Sequence, residues 1–517
     1  MGRLLDLIAA NPVLFGTIGL YLAGMCGIGI WARHAGERAM SRTAQAAGAR
    51  GFMEEYFLAG RGMGGFALAM SIITTYTSAS SFIGGPGVAY TLGLGWVLLA
   101  MIQVPTTFLT LGVMGKRFAA FSRKTGALTI SDFLRRRYGS ELLVGATSLF
   151  MLIFFMAIML AQFIGGARLF EATTGMPYSV NLLFFSMTVM LYTTVGGFRA
   201  VVLTDIAQGM IMLVASAVVL WGVVQAGGGL ESVFQKLEAI DPGLLRPSGA
   251  NNAISMPFLF SFWILVGLGI LGLPQTAQKC MAFKDDNALR QAMIYGTIII
   301  GFMLLCTHLT GALGRAVISD LKVGDLVMPT LTLQILPPFW AGMFIAGVLA
   351  AIMSTVSSML IIASATITRD LYIQWHLKGN EEKANPRFVR RSSIAITGVL
   401  GLCVFILALN PPDLLVWINL FAFGGLEAVF LWPILLGLYW KKANSAGALS
   451  SVCIGLICFL SLTLIKPPMG GTHPIVPSLA LAGIAFWIGN RFNHAEAFAL
   501  RGRLRALWKS IAARFTC

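Results

Sequence analysis

The feature that most restricts this sequence is a series of apolar runs, each about twenty residues long, separated by short segments that hold most of the Lys and Arg. A helix needs roughly 20 apolar residues to cross the ~30 Å hydrocarbon core of a bilayer. Of the 517 residues, 57% are hydrophobic and 11% are charged, whereas a soluble domain carries about 25% charged residues. One soluble core cannot hold this much apolar material, because cores stop growing near ~250–300 residues. We therefore expect an all-α polytopic membrane protein.

Thirteen such runs are predicted to be membrane spans. The first run has no small-residue cleavage site, so we interpret it as an uncleaved membrane helix. No segment between the runs is long enough for a separate domain, which predicts one membrane domain over 1–493 and a basic tail over 494–517. The approximate bounds of the spans are 11–32, 64–90, 93–114, 141–168, 178–196, 202–227, 254–275, 289–315, 338–366, 388–409, 415–438, 445–465 and 472–492.

The net charge of +16 is explained by topology. Cytoplasmic loops of membrane proteins carry an excess of Lys and Arg, and here the clusters follow spans 1, 3, 9, 11 and 13. These clusters lie on one side of the membrane only if the N-terminus is outside and the C-terminus is cytoplasmic. The sequence therefore predicts a multi-pass protein of a bacterial inner membrane, in contact with lipid and with no nucleic-acid partner.

Several kinds of chemistry lack support in the sequence. The seven cysteines are scattered without CxxC spacing, which predicts neither a disulfide framework nor a transition-metal site. No nucleotide-binding, kinase or hydrolase motif is present, so we expect neither an enzyme nor an organic cofactor. No segment indicates an obligatory protein partner.

Two spans contain residues that interrupt membrane helices. Span 2 is rich in hydroxyl residues and continues into Gly84-Gly85-Pro86-Gly87, and span 7 carries three Gly before Pro274. Such segments are tolerated at membrane depth only where they face protein or a wet cavity. By the charge distribution the two spans run in opposite directions, five spans apart. This arrangement favours a transporter built from inverted repeats.

Span 9 offers oxygen ligands on one helical face. Ala351, Ser354 and Thr355 are spaced i, i+3, i+4, and Thr74 and Thr77 lie at a similar depth in the antiparallel span 2. Hydroxyls and freed carbonyls suit a hard monovalent cation. The ordinary alternative is that each hydroxyl bonds back to a carbonyl of its own helix, and for a single Ser or Thr that alternative is favoured. For the combined arrangement we favour a cation site.

Two stretches, Tyr192–Ala200 (YTTVGGFRA) and Gly437–Gly455, are similar to known family signatures. Through these two stretches the sequence resembles the sodium:solute symporter family. The stretches Ser78–Gly87, Gln162–Leu169 and Phe421–Pro433 resemble members that transport pantothenate. The resemblance extends from about residue 55 to 493.

The resemblance implies a LeuT-like core of two inverted five-helix repeats, spans 2–6 (64–227) and spans 7–11 (254–438), preceded by a first span and cytoplasmic loop (11–63) and followed by two extra spans (445–492). It implies Na⁺ as the coupling ion and pantothenate as the solute. Carried over by residue, the sodium ligands are the carbonyls of Thr74, Thr77 and Ala351 and the hydroxyls of Ser354 and Thr355. Some relatives have an acid or amide near Tyr76 and Ser81, where this chain has hydroxyls.

Other polar residues are weaker candidates. No Lys or Arg is expected at mid-membrane, so a carboxylate solute must be met by helix N-termini, hydroxyls or main-chain N–H groups. His308 is expected to be a neutral core residue, with a proton relay as the alternative. Asp205 and Glu427 are coupling candidates, with ordinary structural pairing open for both. The predicted solute-contacting residues are Tyr76, Ser78, Ser80, Ser81, Gln275 and Asn419.

The function expected from these features is Na⁺-driven uptake of pantothenate by alternating access. The alternatives are a Na⁺ symporter for another small solute, such as a monocarboxylate or an amino acid, and a symporter-like sensory module. A channel is less favoured, because no ring-forming charge or filter motif is seen.

Overall fold

A computed structural model gives the structure of residues 9–31 without 10 and 29, 54–368 without 56 and 57, 386–411, and 415–492. The predicted tail 494–517 and most of the predicted loop 33–63 lie outside these residues. The described part of the chain is almost entirely helical. Its single β-type pairing joins Met63 to Phe283.

Seventeen helices carry the argument below and are numbered in chain order. They are α1 Pro12–Ile28, α2 Gly65–Tyr76, α3 Gly85–Leu92, α4 Leu94–Thr125, α5 Ile130–Tyr138, α6 Glu141–Thr174, α7 Tyr178–Ala226, α8 Leu230–Ile240, α9 Met256–Gly272, α10 Pro274–Lys279, α11 Asp286–Gly314, α12 Val327–Ile335, α13 Pro338–Ile367, α14 Pro386–Ala408, α15 Leu415–Tyr439, α16 Ser445–Ile465 and α17 Ile475–Gly489.

The expectation of an all-helical polytopic membrane protein is confirmed. Among the described residues, seven helices are long and apolar enough to cross a membrane, and a bent pair makes an eighth candidate. The other five predicted spans fall on shorter apolar helices: α1, α9, α14, α17 and the first part of α7. The count of thirteen therefore stays a prediction.

Predicted span 2 is broken in the middle. Its first half, α2, ends at Tyr76, and Thr77 takes an extended conformation (φ −74°, ψ 126°). A π-helical turn, Ser80–Gly84, then leads into α3. The two halves are bent by 71° relative to one another. Helical turns of the π type occur frequently at functional sites.

Predicted span 7 is also broken. It contains a π-helical turn at Ile264–Leu268 and a 3₁₀ turn at Gly269–Gly272, and then Leu273 is extended (φ −85°, ψ 113°) before α10 begins at Pro274. In span 2 the break precedes the π turn, and in span 7 it follows it. Both spans thus combine a π turn with an extended residue that interrupts the helix.

The helix that faces the break in span 2 is the most deeply buried of the long ones. Every residue in the most apolar window of α13 is buried inside the bundle, and the helix packs against α2, α6, α7 and α14. A membrane helix that faces protein on all sides has no lipid contact to make. Its polar residues therefore face other protein groups.

The ends of the two broken spans that lie near Met63 and Lys284 are joined by main-chain hydrogen bonds. Met63 donates its N–H to Ala282 (3.2 Å), and Lys284 donates to Met63 (3.0 Å). The Arg123 guanidinium bonds the carbonyl of Phe283 at 2.8 Å and packs over its ring. These contacts hold α2 and α10 together at this end of the bundle.

Candidate ion site and central cavity

Five oxygens predicted from the sequence lie together between α2 and α13. Ser354 Oγ is 2.9 Å from the carbonyl oxygen of Thr74 and 3.1 Å from that of Ala351. Thr355 Oγ1 is 3.0 Å from the carbonyl oxygen of Thr77, 2.9 Å from that of Ala351 and 3.5 Å from that of Thr74. All five residues are buried. We call this group the oxygen cluster.

The break in span 2 frees two of these carbonyls. In a continuous helix the N–H of Ser78 would bond to Thr74, and that of Ser81 would bond to Thr77. Here the Ser78 N–H donates to Ser81 Oγ (3.4 Å), and the Ser81 N–H donates to the carbonyl of Ser78 (2.9 Å). The carbonyls of Thr74 and Thr77 are thus available to the cluster.

The oxygen cluster contains fewer hydrogen-bond donors than acceptors. Three carbonyl oxygens converge there, but the two hydroxyls carry only one proton each. Both hydroxyls lie within hydrogen-bond distance of Ala351 in their own helix, as the ordinary alternative expects, and both also reach across to α2. Carbonyl dipoles that converge on one place create a negative potential there. A monovalent cation bound at that place would relieve the potential without needing a charged ligand.

A cavity of about 450 Å³, counted together with the open space at its mouth, lies beside the break. Its apolar wall contains Phe262, Val266, Leu420 and Phe423. Among the described residues, none of those that line it is Lys, Arg, Asp or Glu. Its polar lining consists of Tyr76, Ser78, Ser80, Ser81, Trp96, Gln103, His308 and Asn419.

Five of the six predicted solute-contacting residues line this cavity, and Gln275 does not. Gln275 lies in the first turn of α10, buried, and its Oε1 has no hydrogen-bond partner among the described residues. Sequence reasoning missed Trp96 and Gln103. It also assigned His308 to the packed core, whereas the structure places it at the cavity wall.

The Tyr76 side chain belongs to the wall between the cavity and α9. Its hydroxyl lies 2.9 Å from Gln103 Oε1 and 3.3 Å from the carbonyl of Val266, and its ring stacks on Phe423 with 6.1 Å between centroids. Tyr76 immediately precedes Thr77, whose carbonyl belongs to the oxygen cluster. One short segment therefore contributes to both sites.

The first coupling candidate, Asp205, has a partner that the sequence analysis did not identify. Asp205 Oδ2 is 3.2 Å from Lys279 Nζ and accepts a hydrogen bond from Ser71 Oγ at 2.6 Å. Lys279 is fully buried inside the bundle, and the sequence analysis did not consider it; the expectation of no Lys or Arg at mid-membrane stays a prediction. The predicted span 7 stops at 275, but the helix continues to Lys279.

The second coupling candidate, Glu427, has no hydrogen-bond partner among the described residues. Its carboxyl is fully buried and packs against Gly269, where a methyl group would overlap it. The backbone of α15 also lies close to Gly272, where an added Cβ would be 3.0 Å from the Cα of Glu427. The sequence analysis held structural pairing open for this acid, and no paired group is found in the described part of the chain.

Two broken helices around a buried cavity, inside an all-helical membrane bundle, define a secondary transporter. The model of the sodium:solute symporter family matches residues 56–455, and the chain belongs to this family.

Characterised relatives agree with this membership. The sodium/pantothenate symporter of Escherichia coli K12 is 51% identical over 442 residues, which cover 86% of this chain and 91% of the relative. The sodium/pantothenate symporter of Haemophilus influenzae is 51% identical over 88% of this chain and 94% of its own length. The osmoregulated proline transporter OpuE of Bacillus subtilis is 30% identical over 84% and 88%.

Solved structures support the fold. A Na⁺-coupled sialic acid symporter in a substrate-bound outward-open state superposes with a TM-score of 0.74 at 18% identity, covering 92% of this chain and 96% of that one. A nucleobase–cation symport-1 family transporter superposes with a TM-score of 0.53 at 14% identity, covering 86% and 97%. The expected LeuT-like fold is confirmed.

Proposed function

We propose that this protein imports pantothenate together with Na⁺ by alternating access. The observation that carries the proposal is the shared segment at the break of span 2. The carbonyl of Thr77 belongs to the oxygen cluster, while the side chains of Tyr76 and Ser78 line the cavity. An ion held by that carbonyl would fix the segment that forms part of the cavity wall. Ion and solute would then favour each other's binding, as coupling requires.

The oxygen cluster supports Na⁺ as the ion. Its proposed ligands are the carbonyls of Thr74, Thr77 and Ala351 and the hydroxyls of Ser354 and Thr355, all of them neutral oxygens. Neutral oxygens offset the cost of dehydrating a monovalent cation. They do not bind it so tightly that it cannot leave, whereas a set of carboxylates would. Release on the other side of the membrane is thereby kept possible.

The identity of the solute rests on the relatives and on the chemistry of the cavity. Both 51%-identical relatives are named for pantothenate, a carboxylate with an amide and two hydroxyls. The carboxylate has no Lys or Arg partner among the lining residues. We assign it to the start of the outer half of span 2, where Ser80 and Ser81 stand at the positive end of the helix dipole.

The proposed setting is a bacterial inner membrane, with the N-terminus outside and the C-terminus in the cytoplasm. Partners are then Na⁺, the solute and lipid, with no obligatory protein subunit, and neither a catalytic step nor an organic cofactor. The remaining candidates from the sequence keep their proposed roles: Gln275 as a solute contact that would need α10 to move, and Asp205 and Glu427 in coupling.

Purified protein in liposomes tests this proposal. Uptake of radiolabelled pantothenate should require an inward Na⁺ gradient, saturate with solute concentration, and resist competition by excess proline or a short-chain monocarboxylate. A proton gradient alone should not restore it. Uptake of proline instead of pantothenate under the same gradient would assign the protein to another solute, and uptake driven by protons without Na⁺ would refute the ion.

A further inference from the structure

His308 presents a hydrogen-bond acceptor to the cavity. Its Nδ1 lies 2.9 Å from the carbonyl oxygen of Leu304. A carbonyl can only accept a hydrogen bond, so Nδ1 must carry the proton. In a neutral imidazole the other nitrogen, Nε2, then has a free lone pair.

The surroundings of Nε2 are open to a ligand. Nε2 has no hydrogen-bond partner among the described residues, and the ring lines the cavity. The Nε2 atom lies so close to Gly85 that a methyl group at this position would overlap it. Glycine at 85 therefore lets the imidazole stand at the start of α3, beside the break in span 2.

Three further residues of the cavity wall carry a buried polar atom that lacks a partner in the described part of the chain. One is the hydroxyl of Ser80, assigned above to the carboxylate of the solute; the others are Oδ1 of Asn419, an acceptor, and Nε1 of Trp96, a donor. The exposed fraction of Asn419 is 3% and that of Trp96 is 2%, so bulk water does not satisfy them. A buried polar atom without a partner is destabilising, and a ligand of matching polarity would remove that cost.

The polarity of this lining is specific. Two acceptors and one donor stand near an apolar wall that includes Phe262 and Phe423. A hydroxyl group suits such a lining, because it donates one hydrogen bond and accepts others. A bare carboxylate would repel both acceptors.

We infer that His308 Nε2 and Asn419 Oδ1 accept hydrogen bonds from the hydroxyls of the transported solute, while Trp96 Nε1 donates to one of its oxygens. The inference rests on the proposed function and deepens it, because it assigns the hydroxylated end of the solute to α4, α11 and α15. The carboxylate end of the solute stays assigned to the region of Ser80 and Ser81. Selectivity among carboxylates then comes from the hydroxyls, and a site built to bond a substrate hydroxyl discriminates strongly against analogues that lack it.

The test combines variants with solute analogues. Inhibition of labelled pantothenate uptake is measured for pantothenate and for two deoxy analogues, each lacking one hydroxyl, in Asn419→Leu, His308→Phe and Trp96→Phe proteins. Trp96→Phe removes the N–H and keeps an aromatic ring. Ser364→Ala is the control, because the one partner of the Ser364 hydroxyl among the described residues is the carbonyl of Ile361 in its own helix (3.0 Å).

In wild type and in Ser364→Ala, both analogues should inhibit at least 100-fold more weakly than pantothenate. Asn419→Leu and His308→Phe should each weaken inhibition by unlabelled pantothenate on the order of 10-fold or more. Inhibition by one of the two deoxy analogues should be weakened far less. The preference for the hydroxyl is then lost, while the Na⁺ concentration for half-maximal uptake, measured for each variant at saturating pantothenate, stays near the wild-type value.

Equal losses for pantothenate and both analogues in every variant would overturn the inference, as would a wild type that does not distinguish them. Trp96→Phe retains most of the wall, so an unchanged analogue preference there would remove Trp96 from the assignment even if the other variants misfold. Absence of Na⁺-driven pantothenate uptake in wild type would instead refute the proposed function.

Discussion

Lys279 and Asp205 form an ion pair of 3.2 Å in which neither side chain has solvent exposure. Lys279 is the last residue of α10, and Asp205 lies in α7. Lys279 also donates to the carbonyl of Ser71 at 3.1 Å, and the hydroxyl of Thr74 donates to that same carbonyl at 3.2 Å. The pair therefore ties α7 and α10 to α2, less than one turn from a carbonyl of the oxygen cluster.

Neutralising one partner of this pair should be far more harmful than neutralising both. Removing one member of a buried pair leaves an uncompensated charge and costs about 3–5 kcal/mol, whereas replacing both is often nearly neutral. Lys279→Met should therefore abolish uptake and lower the thermal stability of the detergent-purified protein. Lys279→Met combined with Asp205→Asn should recover most of the stability. A double variant as unstable as the single one would show that the side chains matter for packing and not for charge.

The hydroxyls of the oxygen cluster should set the Na⁺ affinity. Ser354→Ala and Thr355→Ala each remove one proposed ligand, and a hydrogen bond to a charged group is worth about 1.5–3 kcal/mol. The Na⁺ concentration for half-maximal uptake should rise on the order of 10- to 100-fold, with a smaller fall in maximal uptake. Thr355 approaches three carbonyls and Ser354 two, so the Thr355 variant should be affected more.

Two matched variants check the hydroxyl argument. Thr355→Ser keeps the hydroxyl and should retain most of the affinity. Ser364→Ala, further along α13, should have a normal Na⁺ dependence. If the two alanine variants of the cluster match wild type, the hydroxyls serve only their own helix, and the ion binds elsewhere.

Asp325 should make stability depend on pH. Burial raises the pKa of its carboxyl to about 6, while the main-chain N–H of Leu415, 3.4 Å from Oδ2, and the charge of Arg168 act to lower it. The ordinary pKa of Asp is ~3.9. Because the folded value is the higher one, the protonated acid stabilises the fold below about pH 4, and this contribution is lost as the pH rises through about 6.

Asp325→Asn removes this titration and still offers Leu415 an acceptor oxygen. From pH 5 to pH 7.5 the variant should therefore gain stability relative to wild type, by about 1.4 kcal/mol. Thermal unfolding of both proteins in detergent at the two pH values measures the change. A difference between the proteins that is the same at both pH values would contradict the assignment.

Gly311 should tolerate no side chain. A methyl group there would overlap the carbonyl oxygen of Pro86, a main-chain atom that cannot turn away. Gly311→Ala should force α11 away from α3, lower thermal stability and reduce uptake. Gly398→Ala in α14 is the control, because no atom lies within 4 Å of the added methyl group. Normal uptake by Gly311→Ala would show that this contact can relax.

The predicted topology is tested by fusions at the two ends of the chain. The one-sided distribution of Lys and Arg predicts an external tag before Met1 and a cytoplasmic reporter after Cys517. Protease protection and reporter activity in cells measure the two locations. Finding both ends on one side would rule out thirteen crossings.

The oxygen cluster could be predicted because its determinants are local. The i, i+3, i+4 spacing of Ala351, Ser354 and Thr355 follows from helix geometry, and the hydroxyl-rich break around Thr74 and Thr77 is visible as composition. The structure brings these two segments together across about 280 residues of sequence. Their meeting required only that spans 2 and 9 be antiparallel neighbours.

Lys279 and the cavity residues could not be predicted in this way. Lys279 follows the apolar part of span 7 and resembles an ordinary flanking charge, until tertiary packing buries it against Asp205. The available signal was Asp205 itself, an acid inside an apolar run that needs a partner. The sequence analysis interpreted His308 as a core residue and did not single out Trp96, because no local pattern shows which side of a buried helix faces a cavity.

The neutral character of the oxygen cluster has an electrical consequence. Carbonyls and hydroxyls carry no net charge, so a sodium ion bound there would bring its full positive charge into the transmembrane field. Moving one charge through 100 mV is worth about 2.3 kcal/mol, and an ion that reaches the cluster from outside would gain a fraction of this. Half-saturating external Na⁺ should therefore fall as the interior becomes more negative, so that the cluster senses voltage without a charged side chain among its ligands.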